Sequence, residues 1–136
     1  MLLVSACLAG MRCRYDAKIV PDEAIIALVR DGKAVPVCPE MLGGLPCPRV
    51  PCEVQPDGRV LTKDGADCTD AFRRGAEETV RLARLYRTDR AILKGKSPSC
   101  GCGKIYDGTF SGTLIDGDGV TAKRLKESGV AVETRD

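Results

Sequence analysis

An α/β domain built on a small, mostly parallel sheet is the fold this sequence predicts, and three observations predict it. A continuous apolar run, residues 2–8 (LLVSACL), opens the chain and has the pattern of a strand buried on both faces. Short apolar runs at 34–38 (AVPVC), 90–93 (RAIL) and 130–133 (VAVE) then alternate with segments of helical periodicity. The 136 residues suffice for one hydrophobic core, and no internal repeat or low-complexity linker divides them. Residues 1–136 therefore read as a single three-layer, Rossmann-like domain, a sheet flanked by helices, with one short hairpin added.

Each element has its own signal. After the first strand, residues 22–31 predict a helix: Asp22 caps it behind Pro21, Ile25, Leu28 and Val29 form its apolar face, and Gly32 ends it. Pro36 within the second strand points to an irregular start or an edge position. The Gly/Pro-rich stretch 39–51 predicts no regular helix. Pro56-Asp57-Gly58 makes a tight turn inside 52–62, which reads as a hairpin. Thr69 is the expected cap of a long helix over 70–87. Phe72, Ala76, Val80 and Ala83 recur there at helical spacing, and charged residues cover much of the rest. Residues 90–93 start a third buried strand. Residues 95–119, rich in Gly, Ser and Asp, predict a long functional loop. Residues 120–128 predict a last helix closed by Gly129, followed by a last strand at 130–133.

Composition narrows the function. Hydrophobic residues make up 43% and charged residues 29%, an ordinary globular balance. A net charge of +2 gives no argument for a nucleic-acid surface, though a small nucleotide needs only a local basic patch. The longest apolar stretch, 1–10, is far too short to span a membrane. Val4-Ser5-Ala6-Cys7 has the look of a lipoprotein cleavage site. It lacks a basic segment and a long enough apolar run before it, so a cytoplasmic protein is expected. Eight cysteines without a secretory context then favour metal binding or catalysis over a disulfide framework. The chain has no histidine. This excludes Cys-His nucleophile pairs, Cys₂His₂ zinc sites and Rieske-type ligation.

Three of the cysteines stand at strand ends. Cys7 closes the first strand, Cys38 closes the second, and Cys100 lies in the loop after the third. Ligands of open α/β sheets bind at the carboxyl ends of strands, so these three are expected to converge. Cys13 can reach the same region. Cys47, Cys52 and Cys68 have no motif spacing, and Cys102 sits too close to Cys100 for a usual C-x-x-C pair. Structural zinc sites usually use C-x₂-C knuckles, and none occurs. Scattered single cysteines, with Cys38-Pro39 among them, suit an iron–sulfur cluster better.

The same residues carry a wider likeness. Val4-Ser5-Ala6-Cys7-Leu8-Ala9-Gly10, Cys13-Arg14-Tyr15-Asp16, Cys38-Pro39-Glu40, Gly43-Gly44-Leu45 and Pro48-Arg49 lead it. Thr62-Lys63-Asp64-Gly65, Ile92-Leu93-Lys94, Ser97-Pro98-Ser99-Cys100-Gly101, Ile105-Tyr106-Asp107-Gly108-Thr109-Phe110 and Gly119-Val120-Thr121-Ala122 continue it. In these segments, which span nearly the whole chain, the sequence resembles the domain-of-unknown-function 523 family, whose members include thiouracil desulfidases. The resemblance implies a 4Fe–4S cluster held by only three cysteines, here Cys7, Cys38 and Cys100, with one iron open. Cys13 is a neighbour or an alternative ligand. Ala9 and Ala17 depart from the family pattern but touch no proposed ligand. Larger relatives that act on thiolated tRNA carry an additional domain. This chain ends without one, which favours a free thiolated base or nucleoside over tRNA.

The implied reaction is non-redox desulfuration with release of sulfide. Glu40, two residues past Cys38, is the expected general acid/base in a chain without histidine. Ser97 and Ser99 flank Cys100 and are expected to hydrogen-bond the base or the cluster. Each residue also has a structural alternative. Glu40 can cap a loop, Ser97 and Ser99 can form a turn around Pro98, and Asp16 and Asp107 suit Asx turns. Arg14, Arg49, Lys94 and Lys96 can be solvated charges. Gly43-Gly44 suits a plain turn or a close approach to a ligand. Gly117-Asp118-Gly119 suits a turn or an anion site. Two other functions stay open: a non-catalytic iron–sulfur redox or sulfur sensor, and a zinc-binding structural domain. A metal-free thiol redox enzyme is opposed by the absence of C-x-x-C. A preparation exposed to oxygen is expected to lose its iron.

Overall fold

The apolar run at the start of the chain becomes a strand for only half its length. In the computed structural model, which describes residues 1–136, β1 is Leu2–Ser5 and Ala6–Ala9 curls into a 3-10 turn. Ala6, Cys7 and Leu8 stay buried, which is why the sequence pattern continues past the strand. Gly10, at φ 92°, closes the turn with its N–H on the carbonyls of Ala6 and Cys7.

β1 lies inside a four-stranded sheet with β2 (Ala34–Val37), β5 (Arg90–Lys94) and β8 (Ala131–Arg135), in the order β2-β1-β5-β8. Every pairing in it is parallel; Leu3 sits opposite both Val35 and Ala91. Pro36 lies on the edge strand β2, where its missing N–H is tolerated.

The two faces of the sheet bury different helices. Leu3, Ala91 and Leu93 pack against Val80 and Ala83 of α3 (Thr69–Leu85) and Ala122 and Leu125 of α4 (Val120–Glu127). Val4 and Ile92 pack the other way, on Ile25 of α1 (Glu23–Arg30) and on the 3-10 turn. Leu3, Val4, Leu93 and Leu125 are fully buried, each a contribution of roughly 1.5–3 kcal/mol. Asp22 caps α1, accepting the N–H groups of Ala24 and Ile25.

Three expectations change. Residues 39–42 do form a single helical turn, α2 (Pro39–Leu42), because proline is compatible with the first helical position. Thr69 is the first residue of α3 rather than its cap, and its hydroxyl accepts the Val60 N–H instead. The expected loop 95–119 contains a second hairpin, β6 (Lys104–Tyr106) with β7 (Leu114–Asp116). Its strands are three residues long and largely exposed, so they leave no apolar alternation to read. The first hairpin forms as expected from β3 (Cys52–Val54) and β4 (Val60–Thr62).

α2 and α3 touch through backbone. A Cβ on Gly43 would lie 2.0 Å from the Ala71 carbonyl oxygen, and one on Gly75 would lie 2.0 Å from that of Pro39. Gly43 thus brings α2 onto α3 rather than onto a ligand.

Candidate active site

β2, β1 and β5 are neighbours and run the same way, so their carboxyl ends open on one side of the sheet. Cys7 lies in the 3-10 turn after β1, Cys38 directly after β2, and Cys100 in the loop after β5. All three, together with Cys13, line one cavity of about 520 Å³. Chain topology thus brings together thiols that lie far apart in sequence. No three Cys, Asp or Glu side chains close on one point as the ligands of a single ion would.

The thiols differ in their protons. Cys13 hydrogen-bonds to both Cys7 and Cys38, and this holds the thiols of Cys7 and Cys38 below their ordinary range, Cys38 at about 7. The same bonds push the Cys13 thiol up. Cys100 is pushed well up by burial, with the Glu40 carboxylate adding to the effect.

Glu40 stands in the first turn of α2 and lines the cavity beside these thiols. Arg49 holds one of its oxygens, Oε2, at 3.1 Å, in a pair of which only 8% and 13% of the side chains is exposed. Arg49 also donates to the carbonyls of Cys13 and Pro46. The guanidinium therefore ties two loop segments, at Cys13 and at 46–49, to the carboxylate.

Ser97 and Ser99 part company. Ser97 lines the cavity, and its hydroxyl oxygen accepts the N–H groups of Ser99 (3.1 Å) and Cys100 (3.0 Å). That turn sets the Cys100 backbone and leaves the hydroxyl proton free. Ser99 is 1% exposed, is absent from the cavity wall, and pairs with the Thr121 hydroxyl at 2.8 Å. Its place among the site residues is corrected on that ground: it ties the loop to α4.

The remaining candidates also find places. Asp16 and Asp107 accept backbone N–H groups two residues on, as Asx turns do. Asp118 accepts the Gly103 N–H and pairs with Lys126, so the segment 117–119 is already satisfied by its own carboxylate. Cys47 donates to the carbonyls of Arg12 and Arg14. Cys102 lies against Val132. Cys52 does reach the cavity, and burial with the adjoining Cys68 pushes its thiol up to about 12.

Over residues 2–136 the chain matches the 2-thiouracil desulfurase family. It belongs to that family. It is 43% identical over 141 residues to the Bacillus subtilis (strain 168) protein YbbK, whose function is uncharacterised, with 97% of this chain and 93% of that protein covered. Among solved structures it is similar to the 4Fe–4S-dependent thiouracil desulfidase TudS, a DUF523 protein. The two are 42% identical with a TM-score of 0.94 over 99% of this chain and 90% of the other.

One part of this desulfurase-family site was not read from sequence, the aromatic wall. Of three tyrosines and two phenylalanines, Tyr15, Tyr106, Phe72 and Phe110 line the cavity and only Tyr86 lies elsewhere. Glu53 of the first hairpin accepts the N–H groups of Gly108 and Phe110, which fixes the turn of the second hairpin over the cavity. The scarcity of aromatics was the available signal. It needed the second hairpin to become spatial.

Proposed function

We propose that residues 1–136 act as one domain that removes sulfur from a thiolated pyrimidine, a base or nucleoside of the 2-thiouracil or 4-thiouridine type, and releases sulfide in the cytoplasm. The observation that carries this is the convergence of Cys7, Cys38, Cys100 and Glu40 on a single cavity walled by four aromatic rings. The family and the likeness to TudS support it. No helix is long and apolar enough to cross a membrane.

The donor set suits a 4Fe–4S cluster. Thiolates from three loops, with no histidine in the chain, match cluster ligation. Cys7, Cys38 and Cys100 are the proposed ligands. Cys13 lines the same cavity and stands outside this proposed set of three. When bound, such a cluster supplies a Lewis acid that draws on the soft thiocarbonyl sulfur.

The residues of the chain do the rest. The flat base stacks against the aromatic wall. Glu40, its Oε2 fixed by Arg49, uses its other oxygen to take a proton from water as that water attacks the thiocarbonyl carbon. Ser97, with a free hydroxyl proton, donates to the base or to the attacking water. Sulfur leaves with the electron pair of the broken bond, so no redox change occurs.

The test is anaerobic reconstitution with iron and sulfide, followed by sulfide assay with 2-thiouracil and 4-thiouridine. The expected result is sulfide release that disappears when Cys7, Cys38 or Cys100 is replaced by Ala. Glu40→Gln is expected to lose turnover by about 100-fold or more while retaining iron. A loaded protein that releases no sulfide from either compound overturns the reading.

A further inference from the structure

Four cations line the cavity: Arg14, Arg49, Lys94 and Lys96. Three of them are already matched. Arg14 pairs with Asp16, Arg49 with Glu40 and Lys96 with Asp136, at 3.3, 3.1 and 3.8 Å. Lys94 pairs with no carboxylate.

Its placement is fixed by the sheet. Lys94 is the last residue of β5, opposite Arg135 of β8, and its N–H donates to the Ser5 hydroxyl at 2.8 Å. Ser5 is only 2% exposed, so the anchor is rigid. Alternation along the strand sets the direction of the side chain. Ala91 and Leu93 pack toward α3 and α4, while Ile92 packs toward the 3-10 turn. Lys94, two residues beyond Ile92, shares the face of Cys7 and Cys13. Lys94 and Cys7 line the same cavity.

Lys94 is partly exposed and stands at the cavity wall without a counter-ion, a place that an anion can complete. Three thiolates outweigh the positive charge of the iron–sulfur core they hold, so the loaded site is anionic. Further negative charge gathers there as sulfur departs. We propose that Lys94 is the fixed counter-charge of this sulfur centre, a residue that lowers the barrier by stabilising the charge collected on sulfur as the carbon–sulfur bond breaks. The inference rests on the cluster-dependent reading above. The step balances on one water: a carbon–oxygen bond forms as one proton of water goes to Glu40, the second proton leaves the new hydroxyl for sulfur as the carbonyl closes, the carbon–sulfur pair departs on hydrosulfide, and nothing is oxidised. Lys94 gives up no proton. It acts through its field from the cavity wall.

The experiment compares wild type, Lys94→Gln and Lys94→Arg, all reconstituted without oxygen. It reads iron and labile sulfide per chain, the midpoint potential of the cluster, and kcat and KM for 2-thiouracil. In Lys94→Gln the potential is expected to fall, because reduction adds a negative charge that nothing nearby offsets. Its kcat is expected to drop about 10- to 100-fold, with KM within about threefold of wild type. Lys94→Arg should restore both. Loss of the cluster in Lys94→Gln but not in Lys94→Arg likewise assigns the role to charge. Wild-type potential and kcat in Lys94→Gln overturn the inference and leave the cluster reading standing. Failure of both variants to load overturns the charge role in favour of shape. A wild-type chain that takes up no iron overturns both readings together.

Discussion

Cys38 and Cys100 face the same cavity from opposite flanks, and their surroundings pull their protons in opposite directions. On the flank of the 3-10 turn and α2, thiols hydrogen-bond to one another, and Cys13 holds Cys38 at about 7. On the flank of β5, Cys100 stands 4% exposed in the apolar cluster beneath α3 and α4, and burial drives its thiol up. Both thiols start from an ordinary value of 9.0. The lowered Cys38 therefore contributes stability that is fully present above pH 9 and is lost as pH falls through about 7. The raised Cys100 does the reverse: its contribution is present below pH 9 and is lost at higher pH. One flank is prepared to give up protons to a metal, and the other yields its proton only when the metal takes it. The lesson is that thiols sharing one cavity need not be a uniform set.

The largest effect that tests this contrast is chemical reactivity in the metal-free protein. The thiolate is the nucleophile, so iodoacetamide at pH 8 is expected to label Cys38 about 100-fold faster than Cys100, read by mass spectrometry of peptides. Cys13→Ala should slow Cys38 labelling at pH 7 by removing the donor that lowers it. Equal labelling of Cys38 and Cys100 would erase the distinction between the flanks.

A second comparison separates the two serines of the β5 flank. Ser97→Ala is expected to cut kcat about 10- to 100-fold with the fold retained, since its hydroxyl faces the cavity. Ser99→Ala is expected to leave kcat near wild type and to cost about 1–3 kcal/mol in denaturant unfolding, because the fully buried Thr121 hydroxyl loses its partner.

On the other flank, Gly75→Ala places a Cβ 2.0 Å from the Pro39 carbonyl oxygen and must push α2 away. A loss of about 1–3 kcal/mol is expected, with kcat falling as Glu40 shifts and Cys100 labelling unchanged. Asp22→Ala is the smallest and the control. It removes the α1 cap for about 1 kcal/mol and should alter neither flank.

Much of this was readable in the chain. Parallel strands end on one side of their sheet, so the convergence of Cys7, Cys38 and Cys100 on one cavity was legible from the apolar runs, and the place of Glu40 in its wall followed from its nearness to Cys38. Pro36 announced the edge. What escaped was set by tertiary contact. The helical turn at Pro39–Leu42 depends on paired glycines from distant segments, which no local propensity encodes. The β6–β7 hairpin is too short and too exposed to show a period, and with it the aromatic wall was hidden. Ser99 and Ser97 look equivalent beside Pro98. Only the position of Thr121 tells them apart.

The order in which the strands meet has a consequence in time. β5 inserts beside β1, yet in the chain it follows α1, β2 and the whole of α3. A nascent chain that has exposed only the residues up to Cys38 offers Cys7, Cys13 and Cys38 but no cavity. Cys100 arrives after β5, once the ribosome has released most of the polypeptide. Iron handed over before then meets loose cysteines rather than a shaped receptacle. The cavity that gathers these thiols exists only once β5 has found its place beside β1.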